Sequence, residues 1–324
     1  MEQRRISAAL PRPHHQPSLA LVATVLALLT STATSQTFRW LEATPATNPG
    51  ALSGHSLVYV ESSDDVLLFG GQAGQTVADT WLWNGTTWSQ LQPASSPPAR
   101  HNAAIAYDAA RDRVVLFGGL NAAQAPLGDT WEWDGTSWSQ RTTTSNPTAR
   151  SGHAMTYDAT SQRVICFGGR NSSQTDLSDT WSWDGTTWSQ LSPIASPAAR
   201  TEHAMAYDSD RQRIVLFGGV NATFGTLADT WEWNGSTWLP SLSANFPSGR
   251  RSHAMAYDDA RDVTLLFGGS DGQDLADTWQ WDGSNWHVIN PSSAIPLPRA
   301  DHAMAYDHSR GQVTLFGGTD SSAL

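Results

Sequence analysis

The chain contains no lysine; its 19 basic residues are all arginine. A GC-rich coding preference accounts for that as well as chemistry does, so no function is read from it. Cys166 is the only cysteine, which excludes a disulfide within the chain even though an exported protein could carry one. The fold must therefore be held by its core. Long apolar runs are missing too. Residues 19–29 (LALVATVLALL) form a short one, about half of the ~20 residues a spanning helix needs. Positive charge is scarce: 30 acidic residues leave a net charge of −11. A surface that acidic argues against nucleic acid and anionic membranes as partners.

What is present begins with a leader-like segment. Arg4, Arg5 and Arg12 precede the apolar run, and Ala33-Thr34-Ser35 supplies small residues after it. That layout is a secretory signal peptide over residues 1–35, with cleavage after Ser35; retention as an anchor is the alternative. Removing it also removes Glu2 and the three arginines, so the net charge becomes −13. The expected location is extracellular or periplasmic, with no membrane span after cleavage.

One sentence of sequence then recurs six times. Its clearest copies read R-x-x-H-A-M-A-Y-D, V-x-L-F-G-G and D-T-W-x-W-[DN]-G-[ST]-x-W. The F-G-G phenylalanines, Phe69, Phe117, Phe167, Phe217, Phe267 and Phe316, stand 48, 50, 50, 50 and 49 residues apart. A period near fifty means one supersecondary unit repeated.

Within a unit, His153 to Tyr157 alternates and ends at Asp158, a turn starter. Arg163 to Phe167 is apolar on both faces, as in a strand covered on two sides. Gly168-Gly169 ends it. Asp179-Thr180-Trp181-Ser182-Trp183 resumes period two, and Asp184-Gly185 predicts a two-residue type I′ hairpin to the strand at Trp188. All three tryptophans then share one side of a four-stranded sheet. Such a sheet cannot bury both faces alone, and radial stacking of copies leaves only short edges.

The F-G-G pair, the Asp before Trp-x-Trp and the third Trp after the turn resemble the kelch repeat, from Phe38 to Gly318. The resemblance implies an all-β, kelch-type β-propeller, six-bladed with an incomplete last blade, and a fold like the central domain of galactose oxidase. Boundaries are residues 36–324 for the propeller, with a donated outer strand at 36–42. Blades span about 52–91, 100–141, 150–191, 200–239 and 250–289, with a partial blade at 299–318. Trp40 lies 15 residues before His55, as Trp138 lies before His153, so residues 38–42 read as a fourth strand lent to the last blade. That last copy lacks a D-T-W-x-W strand, which leaves the lent strand nothing to pair with. The chain then reads as a fragment, or as a ring with a defective seam.

Repeat positions explain most of the conspicuous residues. All sixteen tryptophans fall on them, so they read as core rather than as sugar-stacking platforms. His55, His153, His203, His253 and His302 recur at one position, with Ala103 in the sixth copy. Neighbouring blades at about the ~10 Å of sheet packing are too far apart to share a metal at ~2 Å bonds. No metal, cofactor or catalytic residue is expected. The copper site of galactose oxidase is missing, because Cys166 aligns with a buried leucine position and every tyrosine is a repeat residue. The arginines at 100, 150, 200, 250 and 299 are expected to bond loop carbonyls.

Function should sit where copies differ. The second–third and fourth–first loops lie on one face and vary in length and chemistry. Asn121, Arg170, Asn171, Asn221, Phe224, Phe246 and Asp271 are the candidate contacts there. The expectation is a non-catalytic binding scaffold for a protein or glycan ligand. A sugar-active enzyme using the central channel mouth, with Glu202, Arg251 and Asp301, is the alternative; an envelope building block is a third.

Overall fold

A computed structural model describes residues 24–27, 38–293 and 295–320. The second repeat shows the unit. Its strands are Ala104–Asp108, Arg113–Phe117, Thr130–Trp133 and Trp138–Arg141, antiparallel and in sequence order. Val114, Val115, Leu116 and Phe117 are all at most 1% exposed. The run of apolar residues thus forms a strand covered on both faces, as its lack of alternation predicts. Six such four-stranded sheets stand in the described residues, with adjacent inner strands packed around an axis.

The outer hairpin differs from expectation. Trp183 pairs with Trp188, not with Thr186, so four residues rather than two form the loop. Asp184 explains the shift: its Oδ1 accepts the amides of Thr186 and Thr187 at 2.8 Å. That side-chain turn outweighs the two-residue preference of Asp-Gly. Gly185 keeps its left-handed φ of 95°. The three tryptophans still share one face, with Trp183 and Trp188 ring centroids 5.5 Å apart.

Those indoles join blade to blade. Trp138 donates its indole N–H to Thr80 of the preceding blade at 3.1 Å, and Trp188, Trp238 and Trp286 repeat the bond to Thr130, Thr180 and Thr230. Each buried indole is thereby satisfied while it fills the space between sheets. Trp40 makes the same bond to Thr278 at 3.3 Å, which fixes the lent strand Trp40–Ala43 as the outermost strand of the sixth sheet.

The sixth sheet corrects a second expectation. Its inner strands are Ala300–Asp307 and Gln312–Thr319. The lent strand does not face a gap, because Thr24–Ala27 lies between it and Gln312–Thr319. The apolar run at 19–29 supplies the missing third strand, in register: Val25 opposes Leu315 as Trp131 opposes Leu116. Apart from this strand, the leader expected over residues 1–35 lies outside the described residues. Among the described residues no helix is long and apolar enough to cross a membrane.

Candidate functional site

The first strands run parallel to the axis, so the residues preceding them line one mouth of the channel. The residue before each histidine position is Gly54, Asn102, Gly152, Glu202, Ser252 or Asp301. All six have φ between 52° and 62°, the left-handed region that favours glycine. Their backbones form a closed ring of hydrogen bonds. Asn102 donates to Gly54, Gly152 to Asn102, Glu202 to Gly152, Ser252 to Glu202, Asp301 to Ser252 and Gly54 to Asp301, at 2.7–3.1 Å. One backbone conformation therefore presents two glycines and four different side chains, Asn102, Glu202, Ser252 and Asp301, to a cavity of about 150 Å³.

Glu202, Ser252 and Asp301 are consecutive in the ring and gather on one half of this mouth, with Asn102 on the other between the two glycines. Glu202 accepts from Ser252 and from Arg251, both at 3.2 Å. Asp301 lies beside them. Burial raises its carboxyl to about 6, against the hydrogen bond from Ser252 and with the repulsion of Glu202. The structure thus brings together the three residues nominated for a channel-mouth site. At the far end of the channel a second cavity of about 310 Å³ is walled by the repeat tyrosines and Met155, Met205, Met255 and Met304.

The histidines stand behind the mouth as packing residues. His153 meets Phe117 of the preceding blade edge-on at 5.5 Å, and His203, His253, His302 and His55 repeat the contact. His302 donates Nε2–H to the Phe267 carbonyl at 3.1 Å. Burial holds all five imidazoles neutral, with His55 down to about 4 and His153 and His253 to about 3. Among the described residues no group of three or more His, Cys, Asp or Glu side chains is placed to hold a metal ion. Cys166 is fully buried and its thiol is raised to about 12 by that burial, which leaves no thiolate for chemistry.

Each repeated arginine does bond loop carbonyls, but its main partner was not read from sequence. Arg100 donates to the Pro98 and Gly118 carbonyls at 3.0 Å, and also grips Asp129 bidentately at 2.7 and 2.8 Å. Arg150–Asp179, Arg200–Asp229 and Arg250–Asp277 repeat the pair. The same aspartates accept the indole N–H of Trp131, Trp181, Trp231 and Trp279. Burial pushes these carboxyls up, yet the guanidinium bonds prevail and hold them below their usual range. The signal was available: Arg and Asp stand 29 residues apart in three copies.

The candidate loop residues divide. Asn121, Asn171 and Asn221 spend their Oδ1 atoms on amides of their own loops, such as Ala123, Ser173 and Thr223 at 2.8–3.0 Å. These side chains build the loops rather than project from them. Arg170 is paired with Asp176 at 2.7 Å, and that carboxylate also accepts the Ala222 amide of the next blade. Asp271 accepts from Ser248 at 3.3 Å and stays exposed. Phe224 and Phe246 are 70% and 55% exposed. Phe246 edges a rim groove with Trp279, His287 and Val288, and Leu242, 96% exposed, lies four residues before it. The sequence reading passed over Leu242 and Val288, although the outer strand's W-S-Q pattern breaks at Trp286-His287-Val288.

Residues 133–318 match the KLHDC2/KLHL20/DRC7 Kelch-repeats domain, and residues 25–183 match the Attractin/LZTR1 beta-propeller. No curated protein matches the chain. The first match covers more than half of the sequence and coincides with the ring of sheets described above. The chain belongs to the kelch-repeat β-propeller family.

Proposed function

We propose that this chain is a non-catalytic scaffold, acting outside the cytoplasm, that holds a protein partner on its long-loop face. Kelch propellers are interaction domains, which supports the scaffold reading. The leader-like residues 1–35 support the location. The observation that carries the site is the axial ring. There the backbone is the same in all copies, whereas the side chains are Gly, Asn, Gly, Glu, Ser and Asp. Selection for folding alone has no use for that difference, whereas recognition needs it. Phe224, Phe246 and Leu242 add exposed apolar anchors on the surrounding loops.

The test is capture of proteins from the host's extracellular fraction on the immobilised chain. A protein retained by the wild type, but not by Phe224→Ser/Phe246→Ser or Glu202→Ala/Asp301→Ala, supports the reading. Retention indifferent to both pairs contradicts it, and retention of a glycan instead moves the ligand class.

The second reading is an enzyme at the channel mouth. It is favoured by one observation, the Asp301 carboxyl raised to about 6 beside Glu202. Turnover of a sugar substrate that Asp301→Asn abolishes would establish it, and an absence of turnover across sugars tried with and without copper leaves the scaffold.

A further inference from the structure

The cavity at the far end of the channel, about 310 Å³, opens away from the long-loop face. It is roughly twice the size of an apolar cavity of ~150 Å³ that takes up benzene. Met155, Met205, Met255 and Met304 line it from four successive blades, and Leu57 and Ile105 hold the same position in the other two. One tyrosine from each blade completes the wall. Tyr59 and Tyr107 donate their hydroxyls to Asp64 and Asp112 at 2.8 and 2.9 Å, Tyr157 accepts the Ala110 amide at 3.2 Å, and Tyr207 meets Thr160 at 3.0 Å. Those hydroxyls serve the hairpins. What they leave to a ligand is aromatic and thioether surface.

The rim of this cavity differs from copy to copy. The first residue of the turn between the two inner strands is Glu61, Ala109, Ala159, Ser209, Asp259 or His308. Three small residues thus stand on one side, and three titratable ones, from blades five, six and one, stand together on the other. His308 joins those three blades. Its Nδ1–H donates to Asp259 of blade five at 2.7 Å, and its ring lies 5.3 Å from Tyr59 of blade one and 5.0 Å from Tyr306 of its own blade.

The titratable side of the rim is negative. Residues 60–65 and 258–263, the hairpins that flank His308, hold six carboxylates against Arg261 alone. Asp307 is spent on Arg310 at 2.6 Å. The bond to Asp259 raises His308 against the effect of burial, and the same carboxylate matches the charge it favours. Glu61 is exposed, lines the cavity and makes no ion pair among the described residues. It is the carboxylate left to meet a ligand. An apolar pocket with few polar groups at its mouth has the form of a small-molecule site, and tyrosines beside a carboxylate favour a cation.

We propose that this end of the channel binds a small organic cation, an amine or quaternary ammonium that carries an aromatic or branched apolar body. The body fills the space between the methionines and the tyrosines, and the cationic head lies at the rim against Glu61. An anion of the same shape meets the surplus of carboxylates there and is rejected. Methionine side chains adapt to different apolar outlines, so charge selects the ligand more than shape does. The site lies at the opposite end of the channel from the loop face and does not depend on the protein-partner reading.

The test uses the 324-residue chain, isotope-labelled at its methionine methyl groups, with phenethylammonium as the probe. Apart from Met1, the methionines are Met155, Met205, Met255 and Met304, so their NMR signals report on this cavity directly. Saturable shifts of these signals are expected. Phenylacetate, close in shape and opposite in charge, should leave them in place. Glu61→Gln, on an exposed hairpin, should weaken the probe about fivefold, whereas Glu202→Ala at the other mouth should not alter it. No saturable shift, equal shifts with phenylacetate, or an affinity indifferent to Glu61→Gln overturns the proposal. An affinity lost in Glu202→Ala overturns it as well, because the probe then sits at the loop-face mouth.

Discussion

The amide of Gly54 donates to the carbonyl of Asp301 across 2.9 Å, and these two residues lie at opposite ends of the repeat array. Their bond completes a six-membered circle of backbone hydrogen bonds about the channel. It closes the ring at the innermost radius, whatever occupies the outer strands of the sixth blade. It also forces a left-handed conformation on six positions, only two of which are glycine.

A Cβ at Gly54 would displace the Asn102 side-chain oxygen, and the φ of 60° strains a β-branched residue there. Gly54→Val should cost about 1–3 kcal/mol, read as a lower urea midpoint. Asn102→Gly, which relaxes the same left-handed strain, should be neutral or stabilising.

The buried Arg–Asp pairs carry the blades' loop ends. Arg150→Met, which strands Asp179 and the Trp181 indole bond, should lose about 3–5 kcal/mol. Arg163→Met, whose partner Asp184 sits 3.4 Å away at a solvent-exposed site, should change stability by less than about 1 kcal/mol. Chemical denaturation of the two variants side by side checks the contrast.

Stability should fall as pH drops below about 6.5. The five buried histidines have folded-state values below the unfolded 6.5, so only the unfolded chain takes up protons there. Their contribution is complete above 6.5 and is lost on acidification. Asp301 acts in the opposite sense. Its folded value near 6 exceeds the unfolded one, so it costs stability as pH rises from about 4 through 6. His308, raised by its bond to Asp259, acts in the same sense as Asp301, whereas His101, lowered by burial, joins the five; the lowered histidines outnumber both, and the net slope is acid-destabilising. His203→Gln should flatten the dependence of the melting temperature between pH 7 and 5, whereas Asp301→Asn should steepen it.

Cys166 should resist thiol reagents in the folded protein and react fully once unfolded, because burial suppresses its thiolate. Cys166→Leu should leave the melting temperature unchanged or raise it. In blade four the equivalent pair is already Met205 opposite Leu216, where Met155 opposes Cys166.

Much of this architecture was legible because burial patterns repeat. The apolar runs ending at Phe117 or Phe167, and the placement of the indoles, follow from periodicity alone. Three things were not. The Asp184 turn was misread because its side-chain bonds to Thr186 and Thr187 compete with the two-residue preference of Asp-Gly. The strand at Thr24–Ala27 was invisible because an apolar run before a small-residue cluster carries a stronger leader signal than a strand signal. The axial ring was hidden because Asn102, Glu202, Ser252 and Asp301 take a glycine-like conformation that only their neighbours' amides impose. Of the loop candidates, Phe224 and Phe246 could be picked out as aromatics outside the repeat. The asparagines looked the same as contact residues until their Oδ1 partners were known.

The most direct test of the closed ring is site-resolved amide hydrogen exchange at Gly54, Asn102, Gly152, Glu202, Ser252 and Asp301. Comparable protection at all six, including the Gly54 amide that bridges the ends of the array, is the predicted result. Rapid exchange at Gly54 alone, with Gly152 and Glu202 protected, would show an open seam and contradict the account.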